Sequence, residues 1–234
     1  MRVWMCLFML WRLGLPALAQ DRDYGRSMVV TGRGIAATSQ VLASQAGAHI
    51  LERGGSAIDA AIAANAVLGG TEPMMNGMGG DLFLLYWDAK SGKLYGLNAS
   101  GWAPQGLTID FLKKQGINSM PDDGIHSVTA LGAVAGWAKA HQRFGRLPWR
   151  DLFTAAIYYA EHGSAVGEQF SNPDLGKTLR SLADQGAREF YEGEIAKAIL
   201  KTSNSLGGTM QPGQKSSGAS FAGGAGLRAE QHGR

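Results

Sequence analysis

The chain has 234 residues, of which 45% are hydrophobic and 18% charged, and a formal net charge of +3. These values describe an ordinary globular protein, long enough for one sizeable domain or a large piece of one. Lys and Arg are scattered with no basic block, which argues against nucleic acid or a polybasic membrane surface as a partner. Cys6 is the only cysteine, so no intramolecular disulfide and no zinc-type Cys/His cluster is available. The nearest metal-like pair, His126 and His141, lacks helical spacing and a carboxylate at a ligand-like offset, and reads as surface histidines.

In chain order, residues 1–19 read as an export signal. Arg2 supplies the positive start, Val3 to Leu18 are mostly apolar, and Ala17-Leu18-Ala19 offers small residues for cleavage, leaving Gln20 as the new N-terminus. Arg12 interrupts the apolar run, which is short for a spanning helix. The expectation is an exported protein, periplasmic or extracellular, with no stable membrane anchor.

Asp21 to Arg33 is polar and turn-rich. Thr38 or Ser39 then caps a helix from Gln40 to Arg53, with Leu42, Ala46 and Ile50 on one face and Gly54-Gly55 ending it. Ser56, with Asp59 three residues on, caps a second helix. From Ala57 to Leu68 this helix is apolar on nearly every face, which predicts burial on all sides. Gly69-Gly70 and Glu72-Pro73 break it. Leu82 to Trp87 and Lys93 to Ala99 are strand candidates around the turn Asp88-Ala89-Lys90-Ser91-Gly92, a hairpin pattern.

Further helices are expected from the cap Thr108 to Gly116, over Gly132 to Phe144, Trp149 to His162, Asp174 to Gln185 and Glu194 to Ser203. From Gln211 to Arg234 no apolar periodicity remains, and Gly, Ser, Ala, Gln and Arg dominate. Such a tail buries too little to offset its ordering entropy, and is expected to be disordered or an aberrant end to the coding sequence.

Motifs of chemistry are sparse. Asn76-Gly77-Met78-Gly79-Gly80 follows a helix and opens a strand, the reverse of a phosphate-binding loop, and reads as a tight buried crossover. There is no Gly-x-Ser-x-Gly elbow and no catalytic cysteine. Asp122-Asp123 and Glu192/Glu194 are paired in sequence alone, which suits turns and caps better than acid–base work. From residue types alone this is an exported, mixed α/β chain of unassigned activity.

The body, from about Gly25 to Met210, resembles the γ-glutamyltranspeptidase (glutathione hydrolase) family, and corresponds to the N-terminal part of its large subunit. The matching stretches, in the family's order, include Gly34-Ile35-Ala36-Ala37-Thr38-Ser39, Leu51-Glu52-Arg53-Gly54-Gly55-Ser56-Ala57-Ile58-Asp59-Ala60-Ala61, and the glycine segment through Phe83. Ala103-Pro104, Gly132-Ala133-Val134-Ala135-Gly136-Trp137 and Phe144-Gly145-Arg146-Leu147-Pro148 continue the series.

The resemblance implies an α+β fold, part of the αββα sandwich of N-terminal-nucleophile hydrolases, here mostly helical with a β-hairpin. It implies self-cleaving precursors whose newly exposed threonine attacks γ-glutamyl amides such as glutathione, with its own amine as base and with no metal or organic cofactor. Thr209, beside Gly207-Gly208, does not resemble the processing site and reads as a cap or turn. This chain is therefore expected to be truncated before the nucleophilic threonine, with no catalytic residue of its own, and to need a missing C-terminal portion or small subunit.

The family's carboxylate-binding arginine, counted back from Ala103-Pro104, falls at Ser100, the single substrate-binding candidate. An inert or partner-dependent fragment, or a cell-envelope binding module without catalysis, is the alternative.

Overall fold

The computed structural model describes residues 28–164, 170–213 and 220–222. The chain divides into Met1–Gly32 and Arg33–Arg234, and the elements below belong to the second unit. The expected signal segment, residues 1–19, lies outside the described residues.

Two helices come first in the chain. α1 spans Val41–Glu52 and α2 spans Ala57–Thr71. The cap of α1 is Gln40, not Thr38 or Ser39: its side-chain oxygen accepts from the Leu42 and Ala43 N–H groups at 2.6 and 3.2 Å. Thr38 is engaged otherwise, donating from its hydroxyl to the Gln40 carbonyl, and Ser39 donates to Glu72 Oε2. The Ser56/Asp59 capping box is fully formed. Gly69-Gly70 do not end α2, which continues to Thr71. Packing carries the helix through two poor helix formers. Glu72 ends it with φ −135° and ψ 57°, outside the helical region that the following proline disfavours.

The hairpin is β1, Leu82–Asp88, antiparallel to β2, Lys93–Ala99, with Leu82 opposite Ala99 and Asp88 opposite Lys93. Asp88 shapes its turn by accepting from the Ser91 hydroxyl at 2.6 Å and the Lys90 N–H at 3.2 Å. The Ser91 bond, aided by backbone donors and the Lys90 charge, holds the Asp88 carboxyl below its usual range. A third strand, β3, Ser220–Ala222, joins the other side of β2. The tail therefore contributes ordered structure at these three residues, contrary to expectation.

The remaining helices are α3 (Ile109–Lys114), α4 (Ala133–Phe144), α5 (Thr154–His162), α6 (Pro173–Gln185), α7 (Ala187–Glu192) and α8 (Glu194–Ser205). Short 3-10 turns precede α4, at Ile125–Ser127, and α5, at Trp149–Phe153. The expected helix from Trp149 thus starts as a 3-10 segment. Helix α7, set between Gly186 and Gly193, is absent from the sequence expectation because it is as short as α3 but lacks a capping side chain like Thr108 to announce it.

α2 lies at the centre, packed against α1, α4 and α5. Ile58, Ile62, Ala63 and Val67 are buried with Trp137, Leu152, Phe153, Leu179 and Leu182. Burial is not complete on all sides: Ala57 and Ala61 form an exposed stripe.

Asp59 is fully buried, and its Oδ2 accepts from the Ser56, Arg146 and Leu147 N–H groups at 2.8, 2.9 and 3.2 Å. His141 belongs to the same cluster, not to the open surface. Its Nε2 lies 2.9 Å from the Leu147 carbonyl oxygen and 3.7 Å from Asp59 Oδ1, and its ring meets Trp149 edge-on.

Candidate functional site

Ser100 is the first residue after β2 and is half-buried. Its backbone position is set from three directions. Its own N–H donates to Asn98 Oδ1 at 2.9 Å. The next N–H, Gly101, donates to Asp81 Oδ1 at 2.7 Å, at the mouth of β1. One residue further, the Trp102 carbonyl accepts from Ala130 N–H at 2.8 Å. Asp81 and the 100–102 stretch thus close the open end of the hairpin, and the segment leading into α4 lies across it.

Glycine is needed at two points of this junction. A Cβ on Gly101 would overlap the Ala130 carbonyl, and one on Gly132 would overlap the Ala99 carbonyl. Backbone packs on backbone with no room for a side chain. The Gly80 carbonyl accepts from both Gly132 N–H and Ala133 N–H, at 3.1 and 2.9 Å. The glycine segment is therefore a crossover, as expected, but Gly79 and Gly80 are exposed rather than buried, because their contacts are made by the main chain at the molecular surface.

Tyr191 supports the junction from behind. Its hydroxyl donates to the Leu131 carbonyl at 2.8 Å and accepts from Ala135 N–H at 2.9 Å. Asn65 does comparable work on the other side of α4: its side-chain oxygen accepts from Trp137 Nε1 at 3.0 Å, and its carbonyl from Asn76 Nδ2 at 3.2 Å. Sequence reasoning singles out neither residue for this role. Asn65 carries a usable signal, as one of two polar residues in an otherwise apolar helix.

The other candidates stay apart from Ser100. Thr209 lies beyond α8, half-buried against Gly106 rather than capping a helix. Glu192 pairs with Arg188 at 2.8 Å and Glu194 with Lys197 at 2.6 Å, both within their own helices. Among the described residues, no three His, Cys, Asp or Glu side chains are grouped to hold a metal ion, and no helix is long and apolar enough to cross a membrane.

A cleft of about 830 Å³ opens between α6, α7, α8 and the 125–131 stretch. Its walls include Leu131, Phe190, Ile195 and Ile199, and Ser100 does not line it.

Beside this junction, β1 has an unusual outer face. Leu82, Leu84 and Tyr86 point toward the core, while Phe83, Leu85 and Trp87 are 69%, 78% and 61% exposed.

Comparison with known proteins places this arrangement. The model of the gamma-glutamyltranspeptidase family matches residues 43–169 and 164–212. The chain belongs to the γ-glutamyltranspeptidase family.

A glutathione hydrolase proenzyme of Pseudomonas aeruginosa is 33% identical over 83% of this chain. Glutathione hydrolase 3 of Arabidopsis thaliana is 29% identical over a similar share, 83%. The chain spans 40% and 36% of these two relatives' lengths. The γ-glutamyltranspeptidase of Pseudomonas nitroreducens, solved in complex with L-DON, superposes with a TM-score of 0.76 at 30% identity, covering 82% of this chain and 67% of that one. The helices and hairpin are thus part of the N-terminal-nucleophile hydrolase fold of the γ-glutamyltranspeptidases. Strand β3 lies beyond the residues that the family model matches.

Proposed function

We infer that this chain is the scaffold portion of an exported enzyme that hydrolyses or transfers γ-glutamyl groups, with glutathione or a related amide as substrate. The attacking threonine comes from a further portion of the protein or from a separate small subunit.

The observation that carries this reading is the β1 outer face. A strand that is apolar on both faces, Leu82-Phe83-Leu84-Leu85-Tyr86-Trp87, is the pattern of a strand covered on both sides. Here one side is open, and a contiguous apolar patch of this kind marks a surface for another layer. The 36–40% share of the relatives' lengths agrees with a layer supplied from elsewhere.

Ser100 has the position at which the family resemblance puts the arginine that binds the substrate's α-carboxylate. A serine offers one weak hydrogen bond where a guanidinium offers a charged fork. The substrate preference is accordingly shifted from that of arginine-bearing relatives.

The test is direct. Purified chain alone releases no chromophore from a γ-glutamyl anilide above a buffer blank, and it binds an apolar dye through the β1 face. Turnover that disappears when the chain is denatured overturns the reading. So does dye binding that Leu85→Lys leaves unchanged.

A further inference from the structure

The cleft between α6, α7 and α8 offers a partner apolar surface. Leu131, Phe190, Ile195, Ile199 and Met210 line it. Ala198 and Leu206 line it as well and are exposed, Leu206 to 61%. Two of its charged lining groups, Lys177 and Glu194, are already paired within their own helices, with Asp174 at 2.9 Å and Lys197 at 2.6 Å. Affinity for an occupant therefore comes from the apolar side chains. An apolar trough walled by helices is the shape that takes one further amphipathic helix.

The place where the family match runs out points to the source of that helix. The match ends at position 212. Met210, two residues earlier, lines the cleft. Gln211 and Pro212 line the hollow beside it, together with Leu131, Phe190 and Ile199. The chain spans 36–40% of its relatives' lengths and corresponds to the N-terminal part of the large subunit. In a relative the polypeptide thus leaves from beside this cleft and continues. Consecutive elements are usually neighbours in space, so the next helix of the longer protein has the cleft within reach.

The cleft is also tied to the junction at Ser100. Leu131 lies in its wall, and the preceding residue, Ala130, donates its N–H to the Trp102 carbonyl at 2.8 Å. Phe190 lies in the wall too, and the next residue, Tyr191, bonds the Leu131 carbonyl and the Ala135 N–H. An occupant packed on Leu131 and Phe190 presses on the segment that fixes the 100–102 stretch.

We propose, on the reading that a further portion completes this enzyme, that the cleft seats an amphipathic helix of that portion, from the stretch that follows position 212 in the relatives. Its apolar face packs on Leu131, Phe190, Ile199 and Leu206. By bracing the 125–131 stretch it holds Ser100 in place for the substrate.

The experiment co-expresses the full chain with the part of the Pseudomonas aeruginosa relative that continues beyond the region shared with this chain. Association is measured by the molar mass of the purified protein over a dilution series, and bracing by amide exchange at Ala130. The unaltered chain is expected to form a one-to-one complex in which the Ala130 amide exchanges about tenfold more slowly than in the chain alone. Ala198→Lys combined with Leu206→Lys places charges at two exposed positions of the cleft and should weaken association at least about tenfold. Thr202→Lys, at a third exposed position of the lining, serves if melting shows that the double variant folds poorly. Tyr158→Lys alters an exposed aromatic on α5, outside the cleft, and should behave as the parent.

Cleft variants that associate as tightly as the parent overturn the proposal. If Leu85→Lys on the β1 face abolishes association while they do not, the further portion still completes the enzyme but does not use the cleft. Equal weakening by Tyr158→Lys also overturns it, as does a complex in which Ala130 exchange is unchanged. A chain that forms no complex in any of these forms removes the further portion and its seat together.

Discussion

Asp59 and Arg146 are joined directly across 87 positions of sequence: the Asp59 carboxylate accepts the Arg146 N–H at 2.9 Å. The same oxygen also takes the Leu147 and Ser56 N–H groups, so one buried side chain ties the start of α2 to the turn after α4. Asp59→Ala leaves three donors without their acceptor and is expected to cost about 3–5 kcal/mol. Asp59→Asn keeps an oxygen and should cost roughly half as much. Urea unfolding followed by circular dichroism measures both. Equal stability of Asp59→Ala and the parent would refute the role.

The backbone contact at the hairpin's open end makes a second expectation. Gly101→Ala must push the 100–102 stretch off the Ala130 carbonyl and should destabilise by about 2–3 kcal/mol, as overpacking does. Gly77→Ala meets nothing within 4 Å and should change stability by no more than about 0.5 kcal/mol. Thermal melts of the two variants side by side decide the matter: similar losses would mean that the contact at Gly101 is not tight.

Acidity reports on the hairpin turn. The Asp88 carboxyl is held below its usual range chiefly by the Ser91 hydroxyl. The folded form therefore binds this proton less readily than the unfolded chain, so Asp88 contributes stability that is present above the unfolded value and lost as pH falls through the lowered one. Following the Asp88 carboxyl carbon by NMR during an acid titration should give a midpoint below that of an unstructured peptide. In Ser91→Ala the midpoint should move up, and an unmoved midpoint would contradict the assignment.

Ser100 lends itself to substitution because it is half-buried at the end of a strand. Ser100→Arg is expected to alter stability by no more than about 0.5 kcal/mol. In an enzyme assembled with its threonine-bearing portion, the same change should lower KM for a γ-glutamyl anilide by about tenfold, the worth of one charge-assisted carboxylate contact. Steady-state kinetics of the two assembled proteins tests this, and an unchanged KM would remove Ser100 from the substrate's surroundings.

Legibility differed from element to element for physical reasons. The Ser56/Asp59 capping box and the strand–turn–strand of the hairpin depend on neighbours within five residues, and both are plain in the sequence. The end of α2 is less so, because glycine's preference against helix is weak beside tertiary packing. Gln40 is the cap because its side chain curls back onto the Leu42 and Ala43 N–H groups, while the Thr38 and Ser39 hydroxyls are engaged with the Gln40 carbonyl and Glu72. The His141 environment and the Tyr191 clasp come from residues far apart in the chain, and no local pattern encodes them. Ser-Phe-Ala shows no strand signal, since its pairing depends on an edge and an aromatic seat built more than seventy positions earlier. At the candidate site, Ser100 can be located by counting from Ala103-Pro104, but the glycine contacts that hold it are visible only once the backbones are brought together.

The main-chain clasp around Ser100 has an evolutionary consequence. Its location is specified by main-chain contacts of Gly80, Trp102, Ala130 and Gly132 and by the Asp81 and Asn98 side chains, which hold the peptide N–H groups of residues 100 and 101; none of these needs a particular side chain at position 100. Mutation there can exchange serine for a basic, acidic or apolar group and leave the address untouched. If the proposed contact with the substrate's α-carboxylate is made at this position, its chemistry can drift without the scaffold having to be reinvented.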